Sequence, residues 1–166
     1  INNAGQVVGW SYTPNGETHA FVTVNGVMTD LGTFGGRESY AYDINDAGQV
    51  VGSSKIASEE NLYNGEDHAF VMVNGVMTDL GRLGWHSWAY GINNAGQVVG
   101  VDYFDIRFAF ITVNGVMTDL GTLGGDLSYA YGINNAGQVV GWSRTASGED
   151  HAFVTVNGVM TDLGTL

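Results

Sequence analysis

The sequence predicts an all-β protein, a β-propeller built from four tandem, four-stranded antiparallel blades. Three observations carry this prediction: an internal repeat, a glycine-rich turn composition and an Asn-Gly pair in every copy of the repeat. The 166-residue chain has 26 glycines and one proline, so its turns are made mainly with glycine and asparagine. That composition is typical of many short strands joined by tight turns.

Two phrases, each present four times, define the repeat. Ile-Asn-(Asn/Asp)-Ala-Gly-Gln-Val-Val-Gly begins at Ile1, Ile44, Ile92 and Ile133, and Val-Asn-Gly-Val-Met-Thr-Asp-Leu-Gly begins at Val24, Val73, Val113 and Val156. A period of roughly 40 to 50 residues indicates units that bury a common core by stacking on their neighbours. We therefore divide a single domain, 1–166, into repeats 1–43, 44–91, 92–132 and 133–166.

Each repeat contains four runs, called strands a to d, in the order expected of an antiparallel meander. From the end of the third repeat through the fourth we predict strand a over 129–133, b over 138–142, c over 151–156 and d over 159–163. The pair Asn157-Gly158 predicts a two-residue type I′ hairpin between c and d. Strand c is apolar on both faces, which requires cover on both sides of the sheet. Neighbouring blades supply that cover in a propeller; a parallel β-solenoid is the alternative fold.

The first repeat is expected to be incomplete. The chain begins after the position of strand a in its first repeat, so blade one should lack its inner strand. The edge at Gln6, Val7 and Val8 would then carry unpaired backbone groups, a template for pairing with another chain. We expect part of a longer array, or a protomer that copies of itself complete as an oligomer, filament or tube.

Charge and composition exclude several partners. The chain has 17 acidic and 5 basic residues, a net charge of −12, and this field repels nucleic acid and anionic membranes. No apolar run approaches the roughly 20 residues that span a bilayer, so we expect neither nucleic-acid binding nor membrane insertion. Any secretion signal would lie outside this chain. The absence of cysteine excludes disulfides and thiol chemistry.

Three separated motifs carry a family resemblance. The segments 133–142 (INNAGQVVGW), 151–153 (HAF) and 157–166 (NGVMTDLGTL) resemble the extracellular HAF repeat family, named after its His-Ala-Phe. The resemblance covers the whole chain, although the third repeat has Phe108-Ala109-Phe110 in place of His-Ala-Phe. It implies a secreted or cell-surface location and a repeat architecture, and it brings no established activity or catalytic residue.

Histidine and aspartate recur at two fixed positions, so a His–Asp bond within or between blades is possible. We interpret both positions as structural, because the third repeat has Phe108 in place of histidine and a catalytic group would not be spread over the copies. No nucleophile elbow, His-Glu-x-x-His motif or phosphate loop is present, and we expect no enzyme and no catalytic residue. The residues concerned are His19, His68, His151, Asp30, Asp79, Asp119 and Asp162.

Two carboxylate pairs flank the variable connection between strands b and c. Glu66-Asp67 and Glu149-Asp150 could ligate Ca²⁺, but that ion takes six to eight oxygens and no dense Asp-x-Asn-x-Asp-Gly loop is present. We expect no metal and no cofactor, with Ca²⁺ kept as the alternative.

The aromatic residues that differ between repeats are expected mostly to pack in the core or between blades; they are Trp10, Tyr12, Trp85, Trp88, Tyr103, Phe104 and Trp142. Those on long connections form a candidate interaction surface, because loops on a rigid scaffold commonly carry recognition; they are Tyr63, Trp85, Tyr103 and Phe104.

Insertions in a repeat protein map to the same loop of each unit, so we expect the variable b–c loops on one common face. The longest of them, 53–67, is the best single candidate for binding. The function predicted is a non-catalytic extracellular structural or adhesive scaffold that binds copies of itself. The alternative is a carbohydrate-binding or glycoside-active propeller that uses these loops on a polysaccharide, and a surface protein is a further possible partner.

Overall fold

A computed structural model describes residues 1–57 and 65–165. The described chain is all-β, 63% of it strand and none of it helix. Its fifteen strands form four structural repeats, and each of repeats 2 to 4 begins with the strand a that closes the preceding repeat as divided in the sequence. They are β1 (Val8–Tyr12), β2 (Thr18–Val24) and β3 (Val27–Asp30) in repeat 1; β4 (Gly35–Ile44), β5 (Val50–Ile56), β6 (Asp67–Val73) and β7 (Val76–Asp79) in repeat 2; β8 (His86–Ile92), β9 (Val98–Tyr103), β10 (Arg107–Val113) and β11 (Val116–Asp119) in repeat 3; and β12 (Gly124–Ile133), β13 (Val139–Thr145), β14 (Asp150–Val156) and β15 (Val159–Gly164) in repeat 4.

Each of repeats 2 to 4 is one antiparallel meander of four strands, and repeat 1 has only strands b, c and d. A single parallel bridge between Thr18 and Glu38 joins repeats 1 and 2, so three sheets of seven, four and four strands result. None of these sheets is closed.

Local backbone chemistry explains the hairpins between strands c and d. Asn25, Asn74, Asn114 and Asn157 have φ between 51° and 53°, and the glycines that follow have φ between 76° and 78°. Two successive positive φ angles define the type I′ turn, whose twist matches that of the flanking strands. The predicted Asn-Gly hairpins are confirmed.

Several predicted strand limits were too short. Strand a of repeat 4 begins at Gly124 and bends at two register shifts. Residues 53–56 and 144–145, assigned to variable loops from the sequence, are strand, because Ser53, Ser54 and Lys55 pair with Ala69, His68 and Asp67 across the b–c ladder. The loop of repeat 2 is therefore confined to the residues between β5 and β6.

The core consists of three similar clusters, one between each pair of consecutive repeats. A fully buried phenylalanine from strand c stands at the centre of each: Phe70, Phe110 and Phe153. Each ring lies against a glycine on strand b, its direct cross-strand partner: Gly52, Gly100 and Gly141. A Cβ at Gly52 would lie 2.9 Å from the Phe70 ring and closer still to the carbonyl oxygen of Tyr40. The glycine of the Val-Val-Gly motif thus leaves room for the ring of the repeat phenylalanine.

The non-repeated aromatic residues were expected to pack mostly in the core or between blades, and the first part of this expectation was wrong because none of them is buried. Trp10, Tyr12, Trp85 and Phe104 are all exposed, and Trp88, Tyr103 and Trp142 are half-buried. The repeat phenylalanine already fills the space in each unit, so additional rings must lie at the surface.

Candidate functional site

The four a–b turns meet at one end of the molecule and are linked by side-chain amides. The Nδ2 of Asn2 donates to the carbonyl oxygen of Asn45 at 3.0 Å, Asn45 donates likewise to Asn93 at 3.0 Å, and Asn93 to Asn134 at 3.1 Å. We call this series the asparagine ladder. Within the described chain, the amide of Asn134 donates only to Gln138 of its own turn, at 2.8 Å. The ladder is therefore open at repeat 4.

A second series of bonds runs beside the asparagine ladder. The backbone N–H of Asn3 donates to Asp46 at 3.0 Å, that of Asp46 to Asn94 at 3.0 Å, and that of Asn94 to Asn135 at 2.9 Å. The N–H of Asn3 and the side-chain amides of Asn94 and Asn3 stabilise the Asp46 carboxylate and lower its pKa. These turns line a cavity of about 310 Å³. Because the turns share one end of the sheets, the described b–c connections of repeats 1, 3 and 4 lie at the opposite end; residues 58–64, in the repeat 2 connection, lie outside the described residues.

The two terminal repeats leave core positions uncovered. Val51 and Val99 are 0% exposed, whereas the equivalent Val140 in repeat 4 is 47% exposed. At the other end, Met117 is 7% exposed and the equivalent Met28 in repeat 1 is 54% exposed. The face of repeat 4 at Val140 and the face of repeat 1 at Met28, called the end faces, therefore correspond to the two halves of a normal interface between repeats.

Serine hydroxyls provide a further link between repeats. The N–H groups of Ala20, Ala69 and Ala109 donate to Ser39, Ser87 and Ser128 on strand a of the next repeat, at 2.8–2.9 Å. Ala152, the equivalent in repeat 4, is exposed. In each repeat, one backbone N–H on strand c is thus placed to donate to a serine on strand a of the next repeat.

The candidate assembly edge is only partly as expected. The N–H of Gln6 donates to Asn2 Oδ1 at 3.0 Å, and the N–H of Val7 donates to Thr23 Oγ1 at 2.8 Å, so these two N–H groups are not unpaired. Asn2 of the a–b turn and Thr23 of strand c accept these two hydrogen bonds. Among the described residues, β1 pairs only with β2. Because backbone N–H and C=O groups alternate in direction along an antiparallel strand, those of Val8 and Trp10 face the unpaired side of β1.

The repeated histidines and aspartates form pairs within single repeats. The Nδ1 atoms of His19, His68 and His151 lie 2.8, 2.6 and 2.9 Å from carboxylate oxygens of Asp30, Asp79 and Asp162. All four aspartates, including Asp119 of repeat 3, where Phe108 replaces the histidine, also accept the N–H of a glycine two residues on, at 2.7 Å. The bond from glycine is common to every repeat, so the aspartate closes the end of strand d with or without histidine.

The carboxylates considered for Ca²⁺ have protein partners instead. Asp67 lies 3.8 Å from Lys55 and 3.7 Å from His86; burial raises its pKa, and Lys55 and His86 oppose that effect. Glu66 contacts Arg82, and Asp150 contacts Arg144 at 3.0 Å. The described chain contains no group of three or more metal-ligating side chains and no helix long and apolar enough to cross a membrane.

Repeat 3 carries an aromatic cluster beside its b–c connection. The exposed rings of Trp85 and Phe104 lie 5.4 Å apart, and His86 stacks between Trp88 at 5.7 Å and Tyr103 at 6.1 Å. The structure therefore brings together three of the four residues predicted as an interaction surface. The fourth, Tyr63, lies outside the described residues.

Strands a of successive repeats also carry tyrosines that touch one another. Tyr42 and Tyr90 have ring centroids 5.3 Å apart, and Tyr90 and Tyr131 5.6 Å apart. Burial, reinforced by the neighbouring phenols, raises the pKa of Tyr90 to about 12. Sequence analysis missed this row, although the regular position of each tyrosine two residues before the repeat isoleucine was a usable signal.

Comparison of the chain with protein-family models, curated proteins and solved structures found no match.

Proposed function

We propose that the chain is a non-catalytic structural repeat scaffold of β-propeller type that associates with copies of itself through its end faces. The observation that carries this proposal is the exposure of Val140 at a position that is fully buried in repeats 2 and 3. A buried valine contributes roughly 1.5–3 kcal/mol relative to an exposed one, so covering this face is favourable.

Three features support a propeller over a solenoid. Each complete repeat is a separate antiparallel meander, the four a–b turns surround one cavity, and the strands a of repeats 2 to 4 approach one another through Tyr42, Tyr90 and Tyr131. Radial packing of four-stranded units around an axis has these properties, whereas a solenoid pairs successive coils in parallel.

A second copy of the chain fits the end faces because the chain already contains the same interface three times. Each internal interface joins strands b, c and d of one repeat to the next repeat, with the asparagine ladder at its end. The face at Val140 offers the first half, and the turn at Asn2 with Val7 and Met28 offers the second half, without strand a. Such a head-to-tail contact gives a closed ring or a filament, depending on its rotation.

The extracellular location rests on the resemblance to the HAF repeat family and is part of the proposal. Near-identical, acidic repeats with the same exposed positions suit multivalent contacts at a cell surface. Immunodetection in the culture medium and surface fraction of the source cells tests it; recovery only from the interior would contradict it.

Light scattering after size exclusion, over a range of protein concentrations, tests self-association. The Val140→Asp variant should shift the particle to the monomer mass, because it places a charge in the uncovered face. The matched control is Val159→Asp in the same repeat. Val159 is 66% exposed, and its equivalents Val27, Val76 and Val116 are exposed to 62–66%, so that position lies outside every interface.

The control should associate like the unmodified chain. A chain that remains monomeric at its highest soluble concentration, or two variants that behave alike, would refute the proposal.

A further inference from the structure

Arg107 differs from the other basic side chains in what surrounds it. The other four contact carboxylates: Arg37 with Glu17, Lys55 with Asp67, Arg82 with Glu66, and Arg144 with Asp150. For Arg107, the described chain provides aromatic faces. Its guanidinium lies 5.3 Å from the ring centre of Tyr103 and 5.8 Å from that of Tyr129. In a chain of net charge −12, none of the ion pairs among the described residues includes this cation.

Arg107 borders a small cavity between repeats 3 and 4. The cavity measures about 220 Å³ and is lined by Trp88, Tyr90, Val101, Arg107 and Tyr129. Its walls are flat rings on strands, together with one valine, and its single charged group is the guanidinium. Binding pockets typically combine apolar and aromatic walls with a few polar groups that fix orientation.

Two of the aromatic rings that line this cavity are fixed in place by stacking on further rings. His86 stacks on Trp88 at 5.7 Å, and Trp142 stacks on Tyr129 at 4.6 Å with an angle of 22° between the ring planes. Side chains locked by packing present a fixed surface, and a ligand loses less free energy in ordering them. The Tyr90 phenol is neutral at physiological pH and can donate a hydrogen bond.

We propose that this cavity binds the carboxylate-bearing ring of an acidic sugar, with Arg107 on the carboxylate and the faces of Trp88 and Tyr129 against the ring. Guanidinium pairs with carboxylate through two parallel hydrogen bonds, and its cation–π contacts leave the N–H edges available. Aromatic faces suit the apolar face of a pyranose, and the Tyr90 hydroxyl suits its hydroxyl groups.

The overall charge limits the ligand further. A dense polyanion would be repelled by the field of 17 acidic residues, so the ligand carries an isolated carboxylate on an otherwise neutral saccharide. The proposal stands apart from self-association, since none of these residues belongs to the end faces.

Titration with methyl glucuronide, followed by tryptophan fluorescence and calorimetry, tests the site in the intact chain. We expect saturable binding that weakens roughly tenfold or more in Arg107→Gln, as for loss of a charged hydrogen bond. Arg144→Gln is the matched control: it removes the same charge at a residue already paired with Asp126 and Asp150, and binding should be unchanged. Methyl glucoside, which lacks the carboxylate, should bind at least tenfold more weakly.

Equal binding of the two sugars, equal binding by the two variants, or absence of binding by the folded chain would overturn the proposal. Benzoate binding more tightly than methyl glucuronide would overturn the sugar assignment and indicate an aromatic acid. A circular dichroism spectrum of each variant separates loss of binding from loss of fold.

Discussion

Asp102 Oδ2 accepts the backbone N–H of Leu83 at 3.0 Å, at a position where the other complete repeats use serine. Ser54 and Ser143 accept the equivalent N–H groups of Phe34 and Leu123, each at 2.9 Å. Asp102 is 0% exposed, and its Oδ1 has no hydrogen-bond partner among the described residues. Repeat 3 thus buries a carboxylate at a position where a serine hydroxyl accepts the same hydrogen bond in repeats 2 and 4.

Asp102→Ser should therefore stabilise the chain. Serine retains the bond from Leu83 and removes the desolvation of a charge, and one unsatisfied buried polar group costs about 1–3 kcal/mol. Equilibrium urea unfolding at neutral pH should show a gain in the free energy of unfolding of that order. The reciprocal Ser143→Asp should lose stability, since Ser143 is equally buried.

The effect of Asp102→Ser should depend on pH in a defined direction. Burial raises the pKa of Asp102, with the N–H of Leu83 opposing the shift. A carboxyl whose folded pKa is above its unfolded value destabilises the fold wherever the unfolded chain would ionise, so the penalty is absent below pH 3.8, grows between the unfolded and the folded pKa, and is complete above the folded pKa. The advantage of the variant over the unmodified chain should grow across that window. An advantage that is constant with pH would contradict the assignment.

Gly52→Ala should destabilise repeat 2 far more than Gly9→Ala destabilises repeat 1. At Gly52 a methyl group would overlap the carbonyl oxygen of Tyr40 on strand a and lie 2.9 Å from Phe70, whereas at Gly9 it meets only the Phe21 ring, at 3.1 Å. Overpacking of this kind costs about 1–3 kcal/mol or more. Thermal unfolding of both variants measures the difference, and similar losses would show that strand a is not the cause.

The meander and its hairpins could be predicted from the sequence because they depend on local chemistry. Asn-Gly imposes positive φ wherever it occurs, and Gly52 next to the repeat valines indicates a close cross-strand contact. The pairing of His68 with Asp79 follows from their fixed places on two strands joined by a two-residue turn.

Contacts between repeats could not be predicted in this way. The asparagine at the second position of each turn looked like turn chemistry alone, yet its amide reaches a carbonyl about one repeat away. Trp10 meets Tyr40, and Arg107 meets Tyr129, only because two repeats pack together. These features depend on long-range geometry, which no local pattern of residues records.

His68→Phe should leave the fold intact and change the free energy of unfolding by less than about 1 kcal/mol, the range for partly exposed ion pairs. Repeat 3 already has Phe108 at this position, and Asp79 would retain the bond from Gly81. Phe108→His is the reverse control and should also be near neutral. Chemical denaturation measures both; a loss above 3 kcal/mol in His68→Phe, on the scale of a broken buried pair, would show that the pair is an essential structural link.

Asn45→Ala should cost more stability than Asn134→Ala, and only the second should weaken self-association. Both amides make the same bonds within their own turns: Nδ2 donates to a glutamine two places past the turn alanine, and Oδ1 accepts two backbone N–H groups. Of the two, only Asn45 has the additional bond to the next repeat, at 3.0 Å. Asn45 is buried, whereas Asn134 is exposed. The difference in the free energy of unfolding should be about 1 kcal/mol, the net contribution of one hydrogen bond.

If the asparagine ladder continues into a second copy, Asn134 Nδ2 becomes the donor to that copy's Asn2 carbonyl. Removal of this amide should then raise the dissociation constant about fivefold, which corresponds to the same 1 kcal/mol. Sedimentation velocity over a concentration series gives that constant, and an unchanged value for Asn134→Ala would show that the ladder ends within the chain.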